Sequence, residues 1–298
     1  MEPKNKEGLT EAEFLKVYDP GNYERPSIAT DMAVFTVSSE EEDNYRKLPE
    51  RSLKLLMIQR GDHPFIGQWA LAGGFMRPNE TAEQTAGREL AEETGVKDVY
   101  LEQLYTFSDP GRDPRTWVVS CSYLALIDSH KLSLQAGDDA DDAAWFKVDY
   151  KLSREVKEML PKGGSVKYST WILTLTCQDI VLEAEIVCTK TVSEYTVTSD
   201  YHVNSSKGIA FDHAKIIAYG IDRLRGKVEY SNIAFNLMPA LFTLTELQKV
   251  YEIILDKELL KANFRRKIAD LVQETDQFAQ HAGHRPSRLF RRNMEGLG

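Results

Sequence analysis

Residues 73–96 read Gly-Gly-Phe-Met-Arg-Pro-Asn-Glu-Thr-Ala-Glu-Gln-Thr-Ala-Gly-Arg-Glu-Leu-Ala-Glu-Glu-Thr-Gly-Val. Thr81 followed by Gln84 forms a capping box, and Gly95 is a helix stop. The stretch therefore predicts a helix of about three to four turns between these signals. Small apolar residues along one side of that helix predict that it packs against a sheet.

Three glutamates lie on one face of this predicted helix. Glu89, Glu92 and Glu93 stand at positions i, i+3 and i+4, so their carboxylates are neighbours. Arg88 precedes Glu92 by four residues and is placed to hold that carboxylate. Carboxylates this close repel one another unless water or cations take up the charge, and Mg²⁺ or Mn²⁺ prefer oxygen ligands. The pattern indicates either a solvated acidic face or a site for a divalent cation.

The spacing around the glutamates is more specific than their charge. Five residues separate Gly74 from Glu80, and seven more precede the run from Arg88 to Val96, which fills every fixed position of the Nudix box. The chain therefore resembles the Nudix hydrolases. This resemblance implies an α/β fold, namely an α/β/α sandwich on a mixed sheet, and hydrolysis of a diphosphate assisted by Mg²⁺ or Mn²⁺.

The resemblance also implies roles for individual residues. Arg88 would orient the glutamates, and many relatives place one more acidic residue outside the box, for which Asp141 and Asp142 are the nearest candidates here. A solvated loop is the alternative interpretation of these two aspartates. The implied metal ligands are Glu89, Glu92, Glu93 and the carbonyl of Gly73.

Length and charge suggest two modules. The chain has 298 residues, enough for one large or two ordinary domains. Residues 226–298 hold 11 Lys/Arg and 9 Asp/Glu, a balance of +2, whereas the others hold 26 and 37, a balance of −11. No apolar run is long enough to span a bilayer, no secretory signal is visible, and three cysteines form no Cys-x-x-Cys pair. We expect a cytoplasmic protein without a membrane partner.

The remaining sequence predicts the rest of an α/β domain over residues 1–225. Predicted strands cover 29–37, 53–60, 99–107 and 117–127, and a helix runs from Phe211 to about Arg225. Its His213 is interpreted as a capping or surface residue. Residues 153–208 are interpreted as a β-rich insertion with a hairpin around Cys177-Gln178-Asp179. That insertion would serve dimer contacts or act as a substrate lid.

A turn after the third predicted strand carries two arginines. It contains the run Gly111-Arg112-Asp113-Pro114-Arg115, which recurs in Nudix enzymes that act on ADP-ribose and in their regulator relatives. Arg112 and Arg115 are therefore candidate substrate-binding residues, since forked guanidinium groups match phosphate and ribose oxygens. The alternative is a surface turn with two solvated arginines.

Residues 226–298 predict a winged-helix domain. Thr243 and Glu246 form a second capping box, a further helix starts at about Lys261 with Leu271 and Val272 on its buried side, and residues 278–290 indicate a hairpin that turns at Ala282-Gly283. Basic side chains line the second helix and the hairpin, as in winged helices that bind DNA. The candidate DNA contacts are Arg265, Arg266 and Lys267 early on the helix, and Arg285, Arg288, Arg291 and Arg292 on the wing. The alternative is a dimerisation or lid module.

Residues 211–292 resemble the tail of the Nudix-related transcriptional regulators, and this resemblance implies a homodimer. Two functions follow. The main hypothesis is a Mg²⁺-dependent hydrolase of a nucleoside diphosphate linked to another moiety, with ADP-ribose as the expected substrate, because the box is intact. The alternative hypothesis is a DNA-binding regulator that senses such a ligand through the Nudix domain and binds double-stranded DNA through the winged helix.

Overall fold

The computed structural model describes residues 2–39, 51–97, 99–132, 143–161, 163–279 and 286–294. Within them the chain forms one large mixed sheet, five α-helices and a separate hairpin. The helices are α1 (Glu11–Val17), α2 (Ala82–Thr94), α3 (His213–Tyr230), α4 (Leu244–Leu255) and α5 (Lys261–Ile268). The strands of the sheet are β1 (Ser27–Ser39), β2 (Arg51–Gln59), β3 (Trp69–Ala70), β4 (Ala72–Phe75), β5 (Tyr100–Phe107), β6 (Val118–Ile127), β7 (Ala143–Met159), β8 (Ser165–Cys177), β9 (Ile180–Val192) and β10 (Val197–Lys207). The hairpin consists of β11 (Val272–Ala279) and β12 (Ser287–Arg292).

The sheet has the strand order β10-β9-β8-β7-β2-β1-β6-β5, with β3 beside β2 and β4 beside β1. The β1–β6 pair is parallel and the other pairs are antiparallel. In this register Asp31 of β1 lies opposite Gly73 of β4, so the start of the box is fixed to the centre of the sheet.

Helices cover both faces of the sheet. Met32 and Val34 of β1 are buried under α2, whereas Ala33 and Phe35 point to the other face, where α3 packs. A central strand that is apolar on both faces needs a helix on each side. The predicted α/β/α sandwich with a mixed sheet is confirmed.

The caps of α2 are the predicted ones. The Gln84 amide donates to Thr81 Oγ1 at 3.2 Å, and the Thr81 amide donates to Gln84 Oε1 at 2.9 Å. Gly95 ends the helix in the left-handed conformation, with φ of 68°. None of the helices in the described part of the chain is both long and apolar enough to span a bilayer.

The predicted hairpin around Gln178 is present, but its strands are longer than expected and continue the main sheet. Strand β7 pairs with β2 on one side and β8 on the other, and β9 and β10 follow. Leu173, Leu182 and Ile186 are buried in the same core as the central strands. Residues 165–207 therefore form one edge of the sheet, with three of its ten strands, and the side chains on their inner face are apolar like those of the centre.

The C-terminal part is a winged helix, as predicted. It consists of α4, α5 and the β11–β12 hairpin, and Phe242 pairs its backbone with Phe290 of β12. Its buried residues, among them Leu247 and Phe264, belong to the same hydrophobic core as the sheet. Helix α3 ends at Tyr230, five residues beyond the expected end. The predicted domain boundary between residues 225 and 226 therefore falls inside this helix. The boundary itself stays a prediction.

Two details of the predicted winged helix differ. Helix α5 ends at Ile268, so Leu271 and Val272 lie in the following turn and in β11 rather than on the helix. The wing accordingly begins at Val272, six residues before the expected Phe278. The predicted turn at Ala282-Gly283 lies outside the described residues.

Candidate functional site

Arg88 organises the glutamates of the box. Its Nε and Nη2 donate to both carboxylate oxygens of Glu80, at 2.8 and 3.1 Å. Its Nη1 donates to Glu89 Oε1 at 2.7 Å and to Glu92 Oε2 at 3.2 Å, which is the contact expected from the sequence. The Arg88 ion pair holds the pKa of Glu80 at about 2. Arg88 thus joins the loop before α2 to the acidic face of the helix.

Two glycines let the backbone approach this network closely. A Cβ on Gly74 would lie 2.1 Å from Glu89 Oε1, and a Cβ on Gly73 would lie 2.1 Å from the Thr30 carbonyl oxygen. Neither position tolerates a side chain without displacement of its neighbours. Glu93 lines the same cavity as Gly73, which has a volume of about 240 Å³. The loop and the glutamates therefore lie side by side.

This donor set suits a hard divalent cation in its chemistry, because it combines carboxylates with a backbone carbonyl. Gly74 approaches Glu89 closely, and Gly73 and Glu93 line one cavity. In the part of the chain that the structure describes, no group of three or more His, Cys, Asp or Glu side chains is already arranged to hold a metal ion. Arg88 sets the positions of Glu89 and Glu92. The two predicted outer aspartates, Asp141 and Asp142, lie outside the described residues.

A cleft of about 190 Å³ lies beside the box, and both predicted arginines line it. Arg112, however, is buried in an ion-pair cluster. Its Nε and Nη2 donate to Asp212 Oδ2 and Oδ1 at 2.9 and 2.7 Å, and Nη2 also donates to Asp31 Oδ2 at 3.2 Å. Its side chain is 5% exposed. The forked hydrogen bonds that the sequence assigned to a ligand are made to carboxylates of the protein itself.

His213 is part of the same cluster, which corrects its interpretation as a capping or surface residue. Its side chain is buried, and its Nδ1 accepts from the Leu71 amide at 2.8 Å. Its Nε2 lies 3.5 Å from Asp31 Oδ1. Burial lowers the pKa of His213, which favours the neutral ring, and because Nδ1 accepts a hydrogen bond the ring proton is on Nε2. No local signal marked this role, because Leu71 and His213 are 142 residues apart.

Arg115 lies at the mouth of the cleft. Its Nε and Nη2 donate to Asp113 Oδ1 and Oδ2 at 3.0 and 2.7 Å, and its side chain is 43% exposed. Its guanidinium carbon lies 5.5 Å from the Phe75 ring centre and 5.7 Å from that of Phe211. Arg60, which the sequence did not single out, contacts the same Phe211 ring at 4.9 Å. The mouth of the cleft therefore combines two cations with two aromatic rings.

The basic residues of α5 differ in whether the protein itself already binds their charged groups. Arg265 and Arg266 are exposed, and no carboxylate pairs with either among the described residues; Arg266 Nη2 donates to Asn263 Oδ1 at 3.3 Å. Both lie in the last turn of α5 rather than early on the helix. Lys267 is exposed as well, but its Nζ donates to the Val228 carbonyl at 3.3 Å and lies 5.3 Å from the Tyr251 ring centre.

The wing arginines are partly engaged by their neighbours. Arg288 pairs with Glu274, Arg291 Nε donates to Gln273 Oε1 at 3.0 Å, and Arg292 lies over the Phe235 ring. Arg285 lies outside the described residues. Among the candidates in the described part, Arg265 and Arg266 are the cations most open to an external anion.

Comparisons with known proteins match both halves of the chain. A NUDIX domain model matches residues 46–161, and an NrtR DNA-binding winged helix domain model matches residues 234–292. An Acinetobacter baylyi protein named ADPR responsive transcriptional repressor NtrR is 30% identical over 286 residues, which cover 95% of this chain and 88% of that protein.

Two solved structures resemble most of the fold. A MutT/nudix family protein from Enterococcus faecalis has a TM-score of 0.67 and 31% identity, covering 96% of this chain and 94% of that one. The structure of Shewanella oneidensis NrtR complexed with a 27mer DNA has a TM-score of 0.60 and 28% identity, and the match covers 89% of this chain and 93% of that one. Because both domains match in the same order and the similarity spans nearly the whole chain, this protein belongs to the NrtR family, with a NUDIX domain followed by an NrtR DNA-binding winged helix domain.

Proposed function

We propose that this protein is a transcriptional regulator that binds DNA through its winged helix and responds to ADP-ribose bound in the Nudix cleft. The observation that carries the proposal is the similarity over 95% of the chain to a protein named an ADPR responsive transcriptional repressor. The intact box favoured a hydrolase as the main hypothesis. A relative matched over 88% of its own length supports the regulator instead, since the match includes both domains.

The proposed DNA binding is based on the exposed face of α5. Arg265 and Arg266 extend from this face without a carboxylate partner in the described part of the chain. Exposed guanidinium groups bind backbone phosphates, and the recognition helix of such folds enters the major groove. In a homodimer, two such units would meet successive major grooves about one helical turn apart.

Helix α3 connects the cleft with the winged helix. At its start, Asp212 holds Arg112 of the cleft. Near its end, the Val228 carbonyl accepts from Lys267 of α5, and Arg225 Nε donates to the Ile254 carbonyl of α4 at 3.1 Å. The helix has 18 residues and is therefore about 27 Å long. We propose that a ligand in the cleft alters the contacts at its start, and that the rigid helix transmits the change to α5.

The test of the proposed function is DNA binding with and without ADP-ribose. Fluorescence anisotropy with a duplex from the protein's own promoter region should show binding at low salt. Saturating ADP-ribose should weaken that binding by about 5- to 150-fold, the usual range of coupling between two sites. By linkage, saturating DNA must weaken ADP-ribose binding by the same factor. Failure of the wild type to bind the duplex, or an affinity that ADP-ribose leaves unchanged, would contradict the proposal.

Substitution of Asp212 tests the route through α3. In Asp212→Asn the side-chain volume is kept, but Arg112 loses a charged partner in a buried site. We expect the free energy of unfolding to fall by about 2–4 kcal/mol, because part of a buried charge is left unpaired. The ratio of DNA affinities without and with ADP-ribose should fall toward one, while ADP-ribose still binds the free protein.

A matched control is Glu155→Gln, which breaks the exposed pair between Glu155 and Lys167 on β7 and β8. An exposed pair contributes about 0–1 kcal/mol, so this variant should keep both stability and coupling. Wild-type coupling in a folded Asp212→Asn variant would show that the start of α3 does not carry the signal.

Hydrolysis is a second candidate function, compatible with the first. It is supported by the intact box, by the contacts of Arg88 with Glu89 and Glu92, and by the close approach of Gly74 to Glu89. When bound there, Mg²⁺ or Mn²⁺ would neutralise a diphosphate and acidify a water molecule. Arg88 would keep two carboxylates in place. The ligands would be the Gly73 carbonyl, Glu89, Glu92 and Glu93.

A further inference from the structure

A further cavity lies in the C-terminal part of the chain, where the end of α3 meets α4 and α5. It has a volume of about 470 Å³, and all its lining residues lie between Glu229 and Lys267. Much of its wall consists of apolar side chains and one tyrosine, namely Leu255, Leu259, Leu260, Phe264 and Tyr251. Leu260 is 75% exposed, so the cavity is accessible from solvent beside an apolar side chain. Such a wall suits the apolar body of a small molecule.

The hydroxyl group of Tyr251 lacks a partner in this wall. Tyr251 is 1% exposed, and its Oη is buried without a hydrogen-bond partner among the described residues. Burial raises the pKa of Tyr251 to about 12, so the hydroxyl group stays protonated and can donate a hydrogen bond. A buried hydroxyl group without a partner costs about 1–3 kcal/mol. An acceptor bound in the cavity would remove this cost.

The ammonium group of Lys267 is a second donor beside the same ring. Its Nζ lies 5.3 Å from the Tyr251 ring centre and donates to the Val228 carbonyl at 3.3 Å. An ammonium group has three N–H donors, and no carboxylate in the described part of the chain forms an ion pair with this one. Glu229, which also lines the cavity, pairs with Lys257 at 3.2 Å. A positive charge with spare donors therefore lies close to the hydroxyl group of Tyr251.

We propose that this cavity binds a small carboxylate that has an apolar body. The Tyr251 hydroxyl group and the Lys267 ammonium group donate to the carboxylate oxygens, because an anionic acceptor forms the strongest hydrogen bonds with such donors. The leucines of the wall and Phe264 pack around the apolar body. Glu258 lines the same cavity, but it is exposed, so water weakens its repulsion of an anion.

A ligand at this position would act on the contact between α3 and α5. The carboxylate competes with the Val228 carbonyl for the Lys267 ammonium group. In the proposed function, on which this consequence rests, that hydrogen bond belongs to the route from the Nudix cleft to α5. The carboxylate is then a second effector, and it changes the response of DNA affinity to ADP-ribose from a site outside the Nudix cleft.

Calorimetry on the full chain with benzoate, hexanoate and benzamide tests the site. The first two probes combine a carboxylate with an apolar body, whereas benzamide has nearly the shape of benzoate without its charge. We expect a Kd on the order of 1 mM for benzoate, an ordinary affinity for a ligand of this size. Benzamide should bind at least about 10-fold more weakly, because hydrogen bonds to a neutral acceptor are weaker.

Two variants assign the donors. Tyr251→Phe removes only the hydroxyl group and should weaken benzoate binding by about 10-fold, the usual effect of one hydrogen bond to a charged group. Without ligand, its Tm should equal or exceed that of the wild type, since the hydroxyl group has no partner to lose. Lys267→Gln should weaken benzoate binding by at least about 10-fold. The matched control is Lys249→Gln, which removes a 61% exposed ammonium group of α4 that does not line the cavity and should match the wild type.

The outcomes separate this site from the proposed function. Failure of the wild type to bind either carboxylate at about 10 mM, ten times the expected Kd, overturns the site and leaves the regulator proposal intact. Equal affinities for benzamide and benzoate, or full benzoate affinity in Tyr251→Phe, also contradict the site. If benzoate binding depends on Tyr251 and Lys267 while ADP-ribose leaves DNA affinity unchanged, the site stands and the regulator proposal fails. Bound benzoate that leaves the effect of ADP-ribose on DNA affinity unchanged overturns the role as a second effector.

Discussion

Replacing Arg265 and Arg266 together with alanine is expected to weaken binding to a duplex from the protein's own promoter region by about 10- to 100-fold near 0.1 M salt. Both side chains are exposed in the last turn of α5 and lack carboxylate partners in the described part of the chain. Each lost phosphate contact releases about one counterion fewer, so the salt dependence should also become flatter. Anisotropy titrations at several salt concentrations measure both effects.

The control for this prediction removes the same charge elsewhere. Arg154 and Lys190 are exposed on β7 and β9, so the double variant Arg154→Ala/Lys190→Ala has the same net charge. It should bind DNA as the wild type does. Lys267→Ala should also have a small effect on DNA binding, because the Lys267 ammonium already donates to Val228. Equal losses in all these variants would mean that net charge, rather than the α5 surface, determines binding.

The second large effect concerns hydrolysis. Glu93→Gln and Glu89→Gln should each reduce Mg²⁺-dependent cleavage of a nucleoside diphosphate compound by at least about 100-fold, because a carboxylate is lost from the metal ligands. Glutamine has nearly the same volume, so the fold should persist. In Glu89→Gln, Arg88 still has both oxygens of Glu80 as partners. Product analysis with purified protein, Mg²⁺ and a panel including ADP-ribose measures the rates.

Glu83→Gln is the matched control for hydrolysis, since Glu83 is exposed in the first turn of the same helix. It should keep the wild-type rate. Wild-type rates in both box variants would show that these glutamates do not hold the metal. No turnover by the wild type with Mg²⁺ or Mn²⁺ on any compound would exclude the hydrolase candidate for that panel and leave the box as part of a sensor.

The two sets of variants also test whether the domains act separately. Arg265 and Arg266 lie on α5, whereas Glu89 and Glu93 lie on α2 at the opposite face of the sheet from α3. The α5 variant should therefore keep the hydrolysis rate of the wild type, and the box variants should keep DNA affinity in the absence of ligand. A box variant that loses DNA binding without ligand would indicate coupling through the core that the two domains share.

The sequence by itself determined the elements whose signals are local. We could predict four features: the capping box of α2, the end of α2 at Gly95, the winged helix and the shared face of the box glutamates. Caps and periodicity depend on residues only a few positions apart, so a sequence contains these signals. The continuation of the sheet through β7–β10 was less clear from the sequence. The alternation of apolar and polar residues indicates a strand, but it does not show which other strand pairs with it.

The tertiary structure alone decided which charged groups remain available. Arg112 and Asp212 are 100 residues apart, yet their ion pair removes Arg112 from the list of free cations in the cleft. Arg60 donates to backbone carbonyls and forms no ion pair within the described residues, and the Lys267 ammonium donates to a carbonyl of α3. A sequence gives the type of each side chain, but its electrostatic partner depends on folding that brings distant segments together, and that partner determines whether the side chain can bind a ligand.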